Sequence, residues 1–534
     1  MALFLLTEIC NLLSLGSIIL VLLLFFLLHY VKVLYEFRDM PPGPRLSCLP
    51  IVGNILSLKT KVDKMAETFE SLSKYYGGDF SLKLGSFKFL MVSTPEAVKE
   101  VLLIKSVAYA GRPQTRAYYD FSLGCKDLAF AEYGPTWKFY RKLFTTALRQ
   151  YLSNIPLIES RITCQAEKLI RFMEDQRGEL FDPADHLMKA VANVICGITF
   201  KGGSDTQSPD LDRMLKLNAA FIANVDDLQK ILILDFFPWV RYLPTRIYER
   251  WMEPVREIHE IIRKRLKQTK ENFDPTEPVE DFTSAILCAQ RDFEAECKSE
   301  EEKADLFSED RFVTTIHDMF SAGYETTSTA LRFVVAFMVT YPKYQEDIQR
   351  EIDDVLGDRR PKLNDRSDLP LVQAAIFESL RVGNIVPLAV PHVTIENTTL
   401  RGYRVPKGTI VFPNTEAVHM DPRCWENPTI FNPYRHIDEN GKLVANPDNF
   451  FPFGGGRRVC AGEALAKIEL FLFTSVLFQH FTFVAEEGYQ VQMKGATAQF
   501  PVRFKIRAIK RKHRGNDLIV FYPETFINEA SCKG

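Results

Sequence analysis

One cysteine in a glycine-rich loop has the surroundings needed for metal chemistry. Cys460 lies in the segment FGGGRRVCAG, residues 453–462, and an apolar helical stretch follows from about 464 to 480. The positive end of a helix dipole and free backbone N–H groups stabilise a thiolate at such a position. The glycines let the backbone pass close to a large flat ligand, and Arg458 can meet an acidic group on it. The loop therefore predicts a site that holds iron through one sulfur, although a cysteine in a glycine loop can also be simply structural.

An acid and an alcohol stand side by side within a long apolar stretch. The segment AGYETT, residues 322–327, places Glu325 next to Thr326 in the middle of a predicted helix. Burying these groups costs free energy unless they have partners or a task. A threonine can also bond back to the preceding turn of its own helix. Chemistry and a local helix irregularity are both open interpretations of this pair.

Two further pairs have the spacing of neighbours on a helix face. Glu378 and Arg381 are three residues apart, and Trp137 and Arg141 are four apart. An acid–base pair three residues apart is common, and the second pair also suits an amphipathic surface helix. These pairs gain functional meaning only together with the cysteine loop.

The spacing F-x-x-G-x-R-x-C-x-G resembles the haem-binding loop of the cytochromes P450. The resemblance implies haem b (iron protoporphyrin IX) as the cofactor and Cys460 as the axial ligand of its iron. It also implies that Phe453, Arg458 and Gly462 surround the cofactor.

The segment AGYETT resembles the oxygen-activation segment of the same family. There, the small Ala322 would leave space for dioxygen and the hydroxyl of Thr326 would hydrogen-bond it. Glu325 would relay protons from solvent.

The resemblance also suggests groups that hold the haem propionates. The W-x-x-x-R spacing of Trp137 and Arg141 is similar to that of the P450 helix that contacts a propionate. His392, after Pro391, stands where related P450s place another such contact, although a lone histidine near a strand is as often structural.

The pair Glu378 and Arg381 resembles the ExxR motif, which joins a later arginine to position the cysteine loop. The partner here would be Arg435. The usual pattern has an acid before that arginine and an aromatic residue after it, whereas this chain has Tyr434 and His436. We expect the network to form, with this departure as its weak point.

The N-terminal region is predicted to anchor the protein in a membrane. Residues 9–28 carry no charge and would span about 30 Å as a helix, the thickness of a hydrocarbon core. A signal peptide is the alternative, but no basic stretch precedes the run and no small-residue cleavage site follows it. The slight basic bias after the run favours a single-pass topology with the C-terminal side in the cytosol. The resemblance to microsomal P450s implies the endoplasmic reticulum membrane as the location.

We expect four regions along the 534 residues: a transmembrane anchor at 9–28, a proline-rich hinge at 31–50, one catalytic domain at 51–512 and a tail at 513–534. The net charge of -2 provides no global field that would attract nucleic acid.

The predicted fold class is mainly α with small β-sheets, which agrees with the cytochrome P450 fold. Helices are expected from the cap Ser308 to Tyr341, from Pro342 to Gly357 and over 371–382. Strands are expected around 80–92 and at 502–506, where apolar and polar residues alternate.

The resemblance implies a monooxygenase that inserts one oxygen atom of O2 into a small lipophilic substrate such as a steroid, fatty acid or xenobiotic. Electrons would come from NADPH through NADPH–cytochrome P450 reductase, with cytochrome b5 as a further candidate donor. Five basic residues could form a docking face or simply be solvated: Lys138, Lys142, Arg149, Arg457 and Lys467.

Alternatives within and outside this activity remain. Residues 235–239 and 289–293 look most like the steroid 17α-hydroxylase/17,20-lyase group, which is one specific alternative. A P450 that rearranges peroxides without O2 is disfavoured by Glu325 and Thr326. A non-catalytic haem-binding sensor or carrier is a rival of another class. Apolar loops near 109–125, 219–239, 386–390 and 497–500 support a lipophilic substrate without naming it.

Overall fold

The computed structural model describes residues 2–45, 47–50, 52–55, 65–200, 209–225, 235, 242, 247–294, 304, 306–445, 447–495 and 498–511. The tail expected at 513–534 lies outside these residues, as do 226–234, 236–239 and 497 of the expected substrate loops. The chain divides into a first unit, 1–111 with 390–414, and a second unit, 112–389 with 415–534. The single catalytic domain expected at 51–512 stays a prediction.

The first unit begins with a helix that is longer than expected. Helix α1 spans Ala2–Phe37, and its part Gly16–Phe37 is apolar and long enough to cross a membrane. The helix therefore includes the expected anchor. It also continues through 31–37, which the sequence assigns to the proline-rich hinge. The reason is packing, because Val33 and Phe37 are buried with Met40 and Cys48 in a small hydrophobic cluster.

The proline run after α1 is held against the first unit. Arg45 donates to the carbonyl of Pro41 at 2.6 Å and to the carbonyl and hydroxyl oxygens of Ser81, both at 2.7 Å. A Cβ added to Gly43 would come within 1.8 Å of the Ser81 carbonyl oxygen, so glycine is required by this close approach. The segment is therefore a rigid connection and not a flexible hinge.

The rest of the first unit is a small mixed sheet with short helices. The remaining elements are α2 (Met65–Tyr76), β1 (Phe80–Leu84), β2 (Phe87–Val92), α3 (Pro95–Lys99) with a π-helical turn at Glu100–Ile104, β3 (His392–Val393), β4 (Thr398–Leu400), β5 (Tyr403–Val405) and β6 (Ile410–Pro413). Strands β1, β2, β6 and β3 form one sheet in that order, with β2 and β6 parallel and the other pairs antiparallel. The strands expected at 80–92 are confirmed.

The second unit is mostly helical. Its helices are α4 (Arg116–Phe121), α5 (Pro135–Leu152), α6 (Ile155–Asp175), α7 (Ala184–Thr199), α8 (Pro209–Val225), α9 (Ile247–Glu271), α10 (Phe282–Glu294), α11 (Glu309–Thr340), α12 (Pro342–Leu356), α13 (Pro370–Gly383), α14 (Thr415–His419) and α15 (Glu463–His480). Its strands are β7 (Phe481–Ala485), β8 (Met493–Lys494), β9 (Phe500–Pro501) and β10 (Ile506–Lys510), which pair as β7 with β10 and β8 with β9.

Helix α11 runs through the core of the second unit. It packs against α7, α9, α13 and α15, and most of its 32 residues are buried. The expected helices over 308–341, 342–357 and 371–382 are confirmed within one or two residues. Ser308 holds the N-cap position of α11, but its hydroxyl makes no capping hydrogen bond.

The strand expected at 502–506 is wrong except for its last residue, since β10 begins at Ile506. The preceding residues connect two sheets instead. The Val502 N–H donates to the Gln492 carbonyl, and the side chain of Arg503 pairs with Asp182 and Asp185. With these bonds, residues 502–505 do not form the strand that their alternating apolar and polar side chains predict.

Candidate functional site

The cysteine loop is closed by short backbone hydrogen bonds in the second unit. A 3-10 turn at Gly456–Arg458 precedes Cys460, whose N–H donates to the Phe453 carbonyl at 2.9 Å. Arg141 on α5 donates to the Val459 carbonyl at 2.6 Å. Helix α15 begins directly afterwards with Gly462 as its N-cap, so the sulfur lies at a helix start as expected.

Cys460 is an exposed residue, although the protein around its thiol affects the thiol pKa. Burial raises the pKa of that thiol, while N–H groups of Gly462 and Glu463 and the charge of Arg141 oppose that rise. A Cβ on Gly462 would lie only 4.0 Å from the sulfur. A metal ion bound to the sulfur would deprotonate the thiol outright.

Three guanidinium groups lie within mutual electrostatic reach beside this loop. Burial and the neighbouring charge of Arg112 lower the pKa of Arg458 to about 8, with Asp127 opposing and Arg141 contributing. Burial also lowers the pKa of Arg112 to about 10. Asp127 is the carboxyl whose charge acts on both Arg112 and Arg458, and the guanidinium groups of this region suit additional carboxylates. Arg112 was missed by sequence reasoning, because no motif distinguishes it.

The ring of Trp137 lies against Arg458, and its indole N–H bonds within the protein. Its indole N–H donates to the Leu128 carbonyl at 3.0 Å, and the Arg458 guanidinium stacks 4.1 Å from its ring centre. Arg458 also donates to the carbonyls of Leu128 at 3.4 Å and Ala131 at 2.7 Å. The structure thus brings Trp137 together with Arg458, a contact that the sequence did not predict, and the propionate contact assigned to Trp137 stays a prediction.

One face of α11 is exposed although the helix lies in the core. Ala322 and Thr326 are exposed, whereas Tyr324 and Thr327 between and beside them are buried. The Thr326 hydroxyl donates to the Ala322 carbonyl at 2.7 Å, which is the back-bond to the preceding turn considered above. The hydroxyl oxygen nevertheless stays accessible to accept or relay a proton.

Glu325 is partly enclosed next to that face. Burial raises the pKa of its carboxyl, with the charge of Arg332 and the hydroxyl of Tyr324 opposing the rise. Tyr324 is fully buried and accepts a 2.7 Å hydrogen bond from the Asn218 amide on α8. The environment therefore favours the protonated form of Glu325 more than water would.

Glu378 is the centre of a buried hydrogen-bond network. Arg381 donates to both of its carboxylate oxygens at 2.8 Å, and both side chains are 0% exposed. The Asn432 N–H adds a 2.9 Å bond. Arg381 also donates to the His419 carbonyl at 2.7 Å, which ties α13 to α14.

The segment 434–436, in which the residues beside Arg435 depart from the usual pattern, joins this network. Arg435 donates to Glu378 at 2.9 Å, and His436, fully buried, bonds the other carboxylate oxygen at 3.0 Å. Because an ionised carboxylate only accepts, the imidazole donates. Tyr434 points outward and donates to Asp347. The sequence identifies His436 only as a departure from the usual residues around Arg435, whereas the structure shows it as an additional member of the Glu378 network.

The opposing effects on Glu378 leave it strongly acidic. Burial works against ionisation, but the hydrogen bonds from Arg381 and His436 and the charge of Arg381 outweigh it and lower the pKa to about 2. The carboxylate is therefore a permanent charge at neutral pH.

His392 lies in the first unit, at the start of β3. Its Nδ1 is 2.7 Å from the Tyr109 carbonyl oxygen, which belongs to the same unit. The propionate contact assigned to it from the resemblance stays a prediction.

The residues of the second unit fit a haem. An exposed cysteine, an exposed small-residue face in a core helix and a group of guanidinium charges match the iron, the ring and the two carboxylates of that cofactor. Cys460 would bind the iron, and Arg112, Arg141 and Arg458 would hold the propionates.

Comparisons with known proteins agree with this geometry. The family model described as cytochrome P450 matches residues 41–505. The chain is 34% identical to a steroid 17-alpha-hydroxylase/17,20 lyase of Squalus acanthias over 89% of this chain and 94% of that protein. It is 36% identical to the protein of the same description from Rana dybowskii over 84% and 86%, and 32% identical to cytochrome P450 2J5 of Mus musculus over 89% and 92%. The chain belongs to the cytochrome P450 family of haem-thiolate monooxygenases.

Proposed function

We propose that this P450 hydroxylates a steroid-like lipophilic substrate at a membrane. The observation that carries the proposal is the exposed Cys460, placed in one unit with the arginine cluster and the exposed Thr326 face. The relatives described as steroid 17-alpha-hydroxylase/17,20 lyases support the steroid class. The loops at 386–390 and 109–125 are assigned to substrate contact on their apolar composition.

Each residue has a distinct task in this proposal. Bound haem supplies the binding and reductive cleavage of O2. Cys460 would bind the haem iron through its thiolate, and the arginines would hold the haem carboxylates. Ala322 would leave room for dioxygen, and Thr326 would present a hydroxyl that steers protons. Glu325 would carry the next proton, because burial raises the pKa of its carboxyl above the ordinary value.

Electrons are proposed to come from NADPH–cytochrome P450 reductase, with cytochrome b5 as a second donor. Lys138, Lys142, Arg149 and Arg457 are exposed and can attract an acidic partner. Lys467 is less suited, since it is held by Glu463 at 2.6 Å. Charge reversal at Lys138 and Lys142 should weaken reduction at low salt more than at high salt.

The proposed location is the endoplasmic reticulum membrane, with the catalytic part in the cytosol. The apolar helix Gly16–Phe37 fits a single membrane span. Protease added to intact microsomes should digest the globular part, and protection of that part would contradict this topology.

The decisive test of the haem site is Cys460→Ala with Cys424→Ala as the control. The reduced, CO-bound wild type and control should show the red-shifted Soret band of thiolate ligation, and Cys460→Ala should lack it. A thiolate spectrum in Cys460→Ala would overturn the site.

Substrate class and turnover need separate measurements. A panel of steroids, fatty acids and xenobiotics should show substrate-induced haem spectral shifts with steroids first. Substrate-stimulated NADPH consumption with reconstituted reductase separates the monooxygenase from a haem-binding sensor or carrier, which would show none.

A further inference from the structure

Helix α11 carries a ridge of polar side chains that leads to Glu325. His317, Ser321 and Glu325 follow one another at four-residue intervals, so they lie along one ridge of the helix. Thr326 comes directly after the last of them. The helix has other polar residues, but these three lie on neighbouring turns of one ridge that ends beside Thr326.

The outer end of the ridge is a pair of buried histidines. His259 on α9 and His317 are each 2% exposed, and His259 Nε2 is 3.0 Å from His317 Nδ1. Burial and the charge of Arg263 lower the pKa of His259 to about 4, with Asp310 opposing. Burial also lowers the pKa of His317, so both rings are neutral at neutral pH.

The histidine pair lies near a point of solvent access. Arg263 and Asp310 form a 3.0 Å ion pair, and their side chains are 36% and 37% exposed. Both charges act on His259. This half-exposed ion pair is therefore the part of the relay's surroundings that is nearest to solvent, and the proposed relay takes its proton from this side.

The inner end of the ridge has polar atoms that bind nothing. Among the described residues, His317 Nε2 and Ser321 Oγ are buried and have no hydrogen-bond partner. A buried polar group left unsatisfied costs about 1–3 kcal/mol. Two such atoms on neighbouring turns of one ridge, next to a carboxyl, call for a reason other than stability.

We propose that His259, His317 and Ser321 form a proton relay along α11 that supplies Glu325. This relay rests on the proposed monooxygenase function, which consumes protons at the Thr326 face. No residue in it is part of the acid–alcohol pair itself, so the histidines and the serine are positioning residues of the proton supply.

The transfer is balanced in protons and involves no redox change. His259 Nε2 gives its proton to His317 Nδ1, while His317 Nε2 releases its own proton to Ser321 Oγ. The seryl hydroxyl gives its proton to a carboxylate oxygen of Glu325, and His259 takes a proton from water. Ser321 must turn about its Cα–Cβ bond to meet each neighbour, which explains why its hydroxyl is bonded to neither at rest.

The test compares variants that keep packing but stop the relay. His317→Gln keeps a hydrogen-bonding side chain beside His259 but cannot move a proton between two ring atoms, and Ser321→Ala removes the moving hydroxyl. The matched controls are His186→Gln, a histidine stacked on Phe172, and Ser475→Ala, another buried serine with no hydroxyl partner among the described residues.

Two readouts are taken on the haem-loaded full chain. Infrared difference spectroscopy follows hydrogen–deuterium exchange at the Glu325 carboxyl in the resting protein, with the band assigned by Glu325→Gln. We expect exchange to slow about a hundredfold in His317→Gln and Ser321→Ala, the lower range for a positioned proton transfer, and to be unchanged in the controls. In turnover, the same two variants should release more peroxide per product.

The outcomes separate this relay from the proposed function. Unchanged carboxyl exchange in His317→Gln and Ser321→Ala overturns the relay, whatever the turnover results. Absence of substrate-stimulated NADPH consumption in the wild type overturns the proposed function but leaves the exchange result to decide the relay. His317→Phe, if it folds, should behave as His317→Gln.

Discussion

Glu378 and Glu325 are two enclosed glutamates of the second unit whose surroundings push their pKa values in opposite directions. Glu378 receives donors from Arg381, Arg435 and His436, and its pKa falls to about 2. Glu325 has no guanidinium bound to it in the described structure, and burial raises its pKa. Hydrogen-bond supply, and not depth, decides which carboxyl stays charged.

The difference separates a fixed support from a proton carrier. A carboxylate that is ionised at every physiological pH can clamp two guanidinium groups without interruption. A carboxyl whose pKa is raised above the ordinary value is better suited to give up and regain a proton, and Glu325 lies next to the exposed Thr326. The same side chain therefore serves two tasks because its neighbours differ.

The largest effect is expected from removing the clamp. Glu378→Ala and Arg381→Ala should each destabilise the protein by about 3–5 kcal/mol, because each leaves an uncompensated buried charge. Haem content after purification and chemical denaturation measure the loss. Glu351→Ala is the control, since Glu351 accepts the N–H groups of Leu371 and Val372 and forms no ion pair among the described residues, and it should cost about 1 kcal/mol.

A smaller loss is expected at Arg435, whose side chain is 11% exposed. Arg435→Ala removes one charged hydrogen bond to Glu378 but leaves Arg381 in place, so about 1.5–3 kcal/mol should be lost, together with part of the haem. Full haem content and unchanged thermal stability would show that this arm contributes nothing here.

His436 and Tyr434 offer a matched pair. His436→Phe keeps an aromatic ring but removes a donor to Glu378, so we expect a loss of about 1–2 kcal/mol, moderated because Arg381 also bonds that oxygen. Tyr434→Phe, at a position 46% exposed, should change stability by less than about 0.5 kcal/mol. Equal effects in urea denaturation would remove His436 from the network.

The smallest effect on stability is expected at Glu325, and its pH dependence has the opposite sign to that of Glu378. The depressed pKa of Glu378 stabilises the fold above its ordinary value of 4.5, and this stability is lost as pH falls towards about 2. The raised pKa of Glu325 costs stability as pH rises above 4.5. The free energy of unfolding of Glu325→Gln should therefore increase relative to that of the wild type as pH rises. Chemical denaturation at several pH values measures this, and a difference between the two proteins that does not change with pH would contradict it.

Motifs with fixed spacing were the part of the site that the sequence could predict. The loop around Cys460, the helix of Thr326 and the pair of Glu378 with Arg381 all follow from short local patterns, and the structure places them as expected. Boundary signals also predicted the long helices, because a capping serine, a proline at a helix start and a glycine at a helix end are local features of the chain.

Features that depend on distant partners were not predictable. His436 bonds a carboxylate 58 positions earlier in the chain, and Arg112 gains its role from Arg458. The segment before Ile506 alternates like a strand, but Arg503 forms ion pairs with Asp182 and Asp185 and the segment is not a strand. No local pattern contains this information, since it arises only when remote segments pack.

The junction between α1 and the proline run has a mechanical consequence. His29 bonds the Cys48 carbonyl at 3.0 Å, and Val33 and Phe37 lie in a core with Met40, so the last turns of the spanning helix already belong to the fold of the first unit. A spanning helix tilts when bilayer thickness changes. Because the end of α1 is packed into the first unit, a change in the tilt of α1 would rotate that unit with it. The thickness of the lipid bilayer would therefore set the angle between the first unit and the membrane surface.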